Sequence, residues 1–236
     1  MRTLIAVCLD ESGSMAEGGK RAAAIGAFNE YLADQKRLTA DECLMSLTKF
    51  NTTSHVKYPM MAVAHMPALS HETYNPGGGT ALLDAVADTI QDVERHIRYT
   101  PSKACEMCGT WRPGKIDDRV VVVILTDGEE NSSRRFTLSQ LKQMIEGRQG
   151  TGHWTFVYLS AGLNAFHDGA SLGIFAANTV RFANSAAGYQ NAVYTVSTGT
   201  SNLRQSSATM SRAYFTGTDA ETAADENAPT PAGTGG

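Results

Sequence analysis

The 236-residue sequence predicts a doubly wound α/β fold: a mostly parallel six-stranded sheet with one antiparallel edge strand and helices on both faces. Three observations carry that prediction. Residues 3–9 and 120–125 are apolar runs without alternation, the pattern of parallel strands buried on both faces. Segments with apolar residues at helical spacing separate the strand-like ones, and strands alternating with helices build a parallel sheet. Both apolar runs also end in a polar, acidic turn: Asp10-Glu11-Ser12-Gly13-Ser14 and Thr126-Asp127-Gly128-Glu129-Glu130-Asn131. Neighbouring parallel strands present such turns on one rim of the sheet, where α/β folds bind ligands.

The elements follow in order. After the first strand, Glu17-Gly18-Gly19 is loop, and a helix is expected over about 20–38, with Ile25, Phe28 and Leu32 on one face. Cys43 to Asn51 and His55 to Val63 read as a hairpin turning at Asn51-Thr52-Thr53, and Pro59 and Pro67 place its second strand at a sheet edge. Asn75-Pro76-Gly77-Gly78-Gly79-Thr80 is a loop whose glycines allow a sharp turn and close backbone approach. Thr80 is expected to N-cap the next helix, which carries Leu83, Val86, Ile90, Val93 and Ile97 and ends near Arg98, ahead of Pro101. Residues 99–118 shift to Pro, Lys, Gly, Cys and Trp without a period and read as an insertion. After the strand at 120–125, Thr137-x-x-Gln140 matches a capping box and opens a helix closed by Gly147 or Gly150. Trp154 to Leu159 is a third central strand, and Asn164 caps a short helix to about Leu172. Asn178 to Phe182 is a short strand, and the last helix runs from about Ser185 to Leu203. One domain over 1–215 is expected, followed by a disordered, acidic tail at 216–236.

Composition narrows the function. Net charge is −4, and the tail alone holds Asp219, Glu221, Asp225 and Glu226 with no Lys or Arg, so the body is near neutral. There is no basic stripe for nucleic acid or for a membrane surface. No apolar run approaches the length of a membrane span, and no secretory leader is expected ahead of the first strand. Four cysteines in such a chain are expected to be reduced, and the expected compartment is the cytoplasm.

Three loops point to one place: Asp10-x-Ser12-x-Ser14, Gly79-Thr80 and Thr126-Asp127-Gly128. They offer two carboxylates and three hydroxyls, hard oxygen ligands suited to a small dication. Neutral hydroxyls leave much of such an ion's charge uncompensated, so it would attract an external carboxylate. The set Asp-x-Ser-x-Ser, Thr, Asp, in this order, resembles the von Willebrand factor A domain and its metal-ion-dependent adhesion site. All five pattern positions are filled, by Asp10, Ser12, Ser14, Thr80 and Asp127, and the likeness covers roughly residues 3–203. It is similar to stand-alone bacterial and phage-encoded members. The resemblance implies that Ser12, Ser14 and Thr80 bind Mg²⁺ or Mn²⁺ by hydroxyl, with Asp10 and Asp127 acting directly or through water. It further implies a non-catalytic, protein-binding role in which the metal grips an Asp or Glu of another protein.

Other features compete for attention. Cys105-x-x-Cys108 is half a zinc site, in need of two more ligands. An unmetallated loop turn is the first reading, zinc completed by a His or another chain the second, and redox chemistry the third. Cys8 and Cys43 read as buried small hydrophobes. Glu129, Glu130 and Asn131 read as a solvated acidic turn, with selection of partners as their functional alternative. Met60, Met61 and Met66 fill a core edge, and Trp111 either anchors a partner or covers the insertion. His96 reads as solvated on a helix face, and His153 and His167-Asp168 have no nucleophile at a meaningful spacing. An alternative is a structural or assembly protein using the insertion and tail. A metal-dependent phosphoryl hydrolase built on Asp10 ranks lower, because Ser12 stands where such enzymes place a second Asp. Neither a nucleophile elbow nor a P-loop is present.

Overall fold

The computed structural model describes residues 1–98, 116 and 118–215. The sequence readings for the Cys105–Cys108 pair, for Trp111 and for the 216–236 tail therefore lie outside the described residues. The sheet has six strands: β1 (Arg2–Asp10), β2 (Cys43–Phe50), β3 (Ser54–Ala62), β4 (Asp118–Thr126), β5 (Trp154–Ser160) and β6 (Thr179–Arg181). Their spatial order is β3-β2-β1-β4-β5-β6. Only β3 runs antiparallel, paired with β2 at the edge. The helices are α1 (Lys20–Arg37), α2 (Leu82–Glu94), α3 (Leu138–Gly150), α4 (Ala165–Ser171) and α5 (Ala186–Gln205).

The two central strands are apolar throughout because helices cover both faces of the sheet. Ile5, Val7, Leu9, Val121 and Val123 point to one side, with Phe28 and Leu32 of α1 and Tyr189, Val193 and Val196 of α5. Leu4, Ala6, Cys8, Val120, Val122 and Ile124 point to the other, with Val86, Ile90 and Val93 of α2 and Leu141 and Ile145 of α3. Each such side chain contributes about 1.5–3 kcal/mol when fully buried, so these layers hold the strand ends in fixed register. Met66 is fully buried and Met60 and Met61 partly so, as core-edge residues. Cys8 and Cys43 are buried, and burial pushes the Cys43 thiol up to about 12.

Pro59 sits at an irregularity. Met45 pairs with Met61 and Leu47 with Tyr58, so Pro59 and Met60 together oppose Ser46. A proline has no N–H to donate to the ladder, and a bulge on an edge strand absorbs the loss.

Two helix boundaries differ from expectation. α2 ends at Glu94 rather than near Arg98. Ile97 still packs on the core, but the chain has turned. The Arg98 N–H donates to Asp118 Oδ2 at 2.6 Å, and Arg2 donates to the His96 carbonyl at 2.6 Å. Thr80 does not cap α2: the N-cap is Ala81, with no side-chain cap bond. The helix N-terminus is served from afar, by Glu130 accepting from Leu83 N (2.9 Å) and Ser133 Oγ accepting from Asp84 N (3.1 Å). The Thr137–Gln140 capping box forms as expected.

Candidate metal centre

β1 and β4 are neighbours, with Leu9 level with Leu125. From β1 the chain crosses to β2 on one side, and from β4 to β5 on the other. The gap between their carboxyl ends is therefore the topological switch point, where open α/β sheets bind ligands. Asp10 ends β1, fully buried, and Asp127 follows the last residue of β4. Asp10 Oδ1 accepts from Ser12 N at 2.7 Å and Oδ2 from Thr126 Oγ1 at 2.6 Å. Burial pushes the Asp10 carboxyl above the ordinary range. Hydrogen bonds from Thr126 and Ser12 pull it partly back, and the nearby Asp127 pushes it up again.

The hydroxyls form a chain across the gap. Ser12 Oγ lies 3.0 Å from Ser14 Oγ, and Ser14 Oγ donates to Asp127 Oδ1 at 2.6 Å. Thr80 arrives on the third loop, 3% exposed. Its backbone N–H donates to Asn131 Oδ1 at 2.9 Å, and its carbonyl accepts from Asn131 N and Ser132 N at 3.0 and 3.2 Å. Glu130 accepts from Ser132 N and Ser133 N, beside its bond to α2, at 2.9 and 2.7 Å. The turn expected to be solvated is exposed at Glu129 and Asn131, but Glu130 is half-buried, and Glu130 and Asn131 also clasp the second site loop to the third.

The first two loops are tied by backbone. Gly13 N donates to the Gly78 carbonyl at 3.0 Å and Gly77 N to the Glu11 carbonyl at 2.9 Å. Gly78 has φ +80°, and a Cβ there would fall 2.5 Å from Thr52 Oγ1, so only glycine fits. Beneath, Glu11 is buried against Lys49 (2.5 Å) and accepts from Asn75 N (2.5 Å), and Tyr74 Oη donates to the Asp10 carbonyl (2.5 Å).

A cradle opens at Gly128. A Cβ built there would lie 3.1 Å from Thr80 Oγ1 and 3.8 Å from both Asp10 Oδ2 and Ser12 Oγ, so oxygens from the first two site loops face one small volume beside Gly128 of the third. The donors are carboxylate and hydroxyl only. Among the described residues no group of three or more His, Cys, Asp or Glu is placed to hold a metal, so a cation here depends on the hydroxyls. A hard, small dication fits that chemistry, and a soft metal does not.

One charged neighbour was missed in the sequence. Lys20, the first residue of α1, extends its ammonium to Asp127 Oδ2 and to Asn184 Oδ1 (3.1 Å) and is 6% exposed. Lysine is an ordinary helix residue, and nothing in its sequence setting marks it. Beside Gly128 a groove of about 380 Å³ runs between α2, α3 and α4, lined by Leu82, Glu129, Leu138, His167, Asp168 and Leu172. His153 is structural, its Nδ1 2.9 Å from the Asp118 carbonyl. His96, expected to be free on a helix face, lies beyond α2 with Nδ1 2.9 Å from the Asp92 carbonyl.

Solved structures resemble this architecture. A von Willebrand factor type A protein from Catenulispora acidiphila superposes with a TM-score of 0.52 at 17% identity, over 83% of this chain and 42% of that one. The fold is von Willebrand factor A-like. The ArnB paralog VWA2 from Sulfolobus acidocaldarius gives 0.51 at 15% identity, over 82% of this chain and 44% of that one. Proximal thread matrix protein 1 from the mussel byssus gives 0.53 at 14%, over 83% and 45%. The chain thus spans less than half the length of each of these three, and identities this low speak for the fold alone. No protein-family model and no curated protein matches the sequence. Among the described residues no helix is long and apolar enough to cross a membrane.

Proposed function

We propose that the chain is a protein-interaction module that captures an acidic residue of another protein through a Mg²⁺ or Mn²⁺ ion at the carboxyl rim of its sheet. The observation that carries this reading is the cradle at Gly128 of the third loop, on which Thr80, Asp10 and Ser12 converge from the other two. Ser12, Ser14 and Thr80 would hold the ion by hydroxyl, with Asp10 and Asp127 acting directly or through water. When bound, the ion supplies a concentrated positive charge that a partner's Asp or Glu can complete. The chain's own residues do the rest. The Asp10–Thr126 and Ser12–Ser14–Asp127 bonds hold the oxygens in place. The Glu130–Asn131 clasp keeps Thr80 over them. Glu129, exposed beside the groove, is placed to select what flanks the captured acid.

Calorimetric titration with Mg²⁺ and Mn²⁺ is expected to show one site, lost in Asp10→Ala and in Ser12→Ala. Binding that survives both substitutions would overturn the reading. In affinity capture, a partner retained in Mg²⁺ and released by EDTA is expected, and its retention should fail in Asp10→Ala.

A further inference from the structure

Lys20 stands in an unusual place for a cation. It is the first residue of α1, where the helix dipole favours negative charge and disfavours an ammonium. It is also buried, where an unpaired ammonium is costly. Both penalties are met by two contacts, one of which ties Lys20 to the candidate site: Asp127 Oδ2, the carboxylate whose other oxygen holds Ser14, and Asn184 Oδ1 at 3.1 Å. Among the described residues, Glu11 is paired with Lys49, and Arg21 donates to the His71 and Tyr74 carbonyls and Asn75 Oδ1 rather than to Asp10 or Asp127.

Charge counting then separates the site with Lys20 from one without it. Asp10, Asp127 and Lys20 together carry one net negative charge, and a dication turns that to one net positive. Without Lys20 the two carboxylates would formally neutralise the dication, and the loaded site would attract an anion less. We propose that Lys20 is the residue that makes the loaded site cationic: it weakens the hold on the dication and in exchange strengthens capture of a carboxylate. This rests on the metal-mediated reading given above and adds a residue that the five-position pattern does not contain. Its effect is electrostatic, so Lys20 is a positioning and charge-setting residue rather than a ligand.

The two halves of the proposal move in opposite directions, which a damaged fold cannot imitate, since damage weakens both. Calorimetry on the full chain would compare wild type with Lys20→Met, Lys20→Gln and Lys20→Arg. Lys20→Gln keeps a hydrogen-bond donor toward Asp127 and serves if the Met variant does not fold. Mg²⁺ is titrated first, and N-acetyl-aspartate amide is then titrated into the Mg²⁺-loaded protein. Removing the buried charge that contacts Asp127 is expected to tighten Mg²⁺ binding about ten- to hundredfold and to weaken the aspartate probe by about tenfold or more. Lys20→Arg should stay near wild type in both. The Mg²⁺-induced rise in Tm should be larger in Lys20→Gln than in wild type. Unchanged or weaker Mg²⁺ binding in Lys20→Gln, with wild type binding normally, overturns this proposal and leaves the metal site intact. Absence of Mg²⁺ binding in the wild type overturns the metal reading itself, and this proposal with it.

Discussion

The two rims of the sheet bury charge in different ways. At the amino-terminal rim, Arg2 meets both oxygens of Asp118, at 2.9 and 2.6 Å. Arg204 reaches Asp41 at 2.7 Å and the carbonyls of Gln35 and Leu38 at 2.7 and 2.9 Å. Flat guanidinium groups there satisfy carboxylates and helix-end carbonyls directly, and each pairing is complete within the fold. At the carboxyl rim, Asp10, Ser12, Ser14, Thr80 and Asp127 face one another across a gap, with the Lys20 ammonium as the one cation paired to them among the described residues. The oxygens there are rich in acceptor capacity, and each hydroxyl proton can turn away from an incoming cation. Buried charge closed by arginine holds a fold together, whereas buried oxygen held open on loops prepares a fold for a guest.

Substitutions can test that contrast. The largest effect is expected at the closed rim: Arg204→Met strands Asp41 and should cost about 3–5 kcal/mol in chemical denaturation, while the Mg²⁺ affinity of the folded fraction stays unchanged. A matching loss of metal binding would blur the distinction between rims.

Asp84 sits between the two cases, a buried carboxylate that holds a site loop. Although burial pushes its carboxyl up, the N–H groups of Arg134, Phe136 and Arg135 outweigh it and hold the group below the ordinary range. A depressed folded value means that its stabilisation is present above the unfolded value of about 3.9 and is lost as pH falls through the folded one. Asp84→Asn should cost about 1.5–3 kcal/mol at neutral pH. It should also flatten the fall in stability as pH drops below about 4, read by denaturation at a series of acidic pH values.

At the open rim the signs reverse. Gly128→Ala places a methyl in the cradle, 3.1 Å from Thr80 Oγ1, and should weaken Mg²⁺ by about tenfold, a change of about 1.4 kcal/mol, with Tm in EDTA little altered. The smallest effect is expected away from both rims. Thr137→Ala removes one half of the capping box of α3 and should cost about 1 kcal/mol with normal metal binding. An effect of Thr137→Ala on Mg²⁺ affinity would show that the loop before α3 transmits strain to the site.

Much of this was legible in the chain because the signals are local. A strand covered on both faces needs apolar residues at every position, so residues 3–9 and 120–125 announce the centre of the sheet. Pro59 marks the edge because it cannot serve a ladder, and it stands at the bulge. The signals that misled were also local. Thr80 before an amphipathic helix reads as a cap, because capping is the usual use of threonine there. In the fold, Glu130 and Ser133 serve that helix from about fifty residues away, and the Thr80 hydroxyl faces the cradle instead. Ile97 kept the helical period past Glu94 because packing on the core continues after the helix ends.

The sequence alone determined the order of strands and helices and the two acidic turns that close the central strands. Hydrophobic period and turn chemistry act over a few residues and are written there directly. The tertiary structure decided which side chains meet. It brought Thr80 over Asp10, turned Glu130 and Asn131 into a clasp, and buried Lys20 against Asp127 and Asn184, partners 107 and 164 residues away. Those meetings depend on the register of β1 against β4 and on the packing of α1 against α5. Both are sums of many weak apolar contacts, and no local stretch of sequence records their outcome.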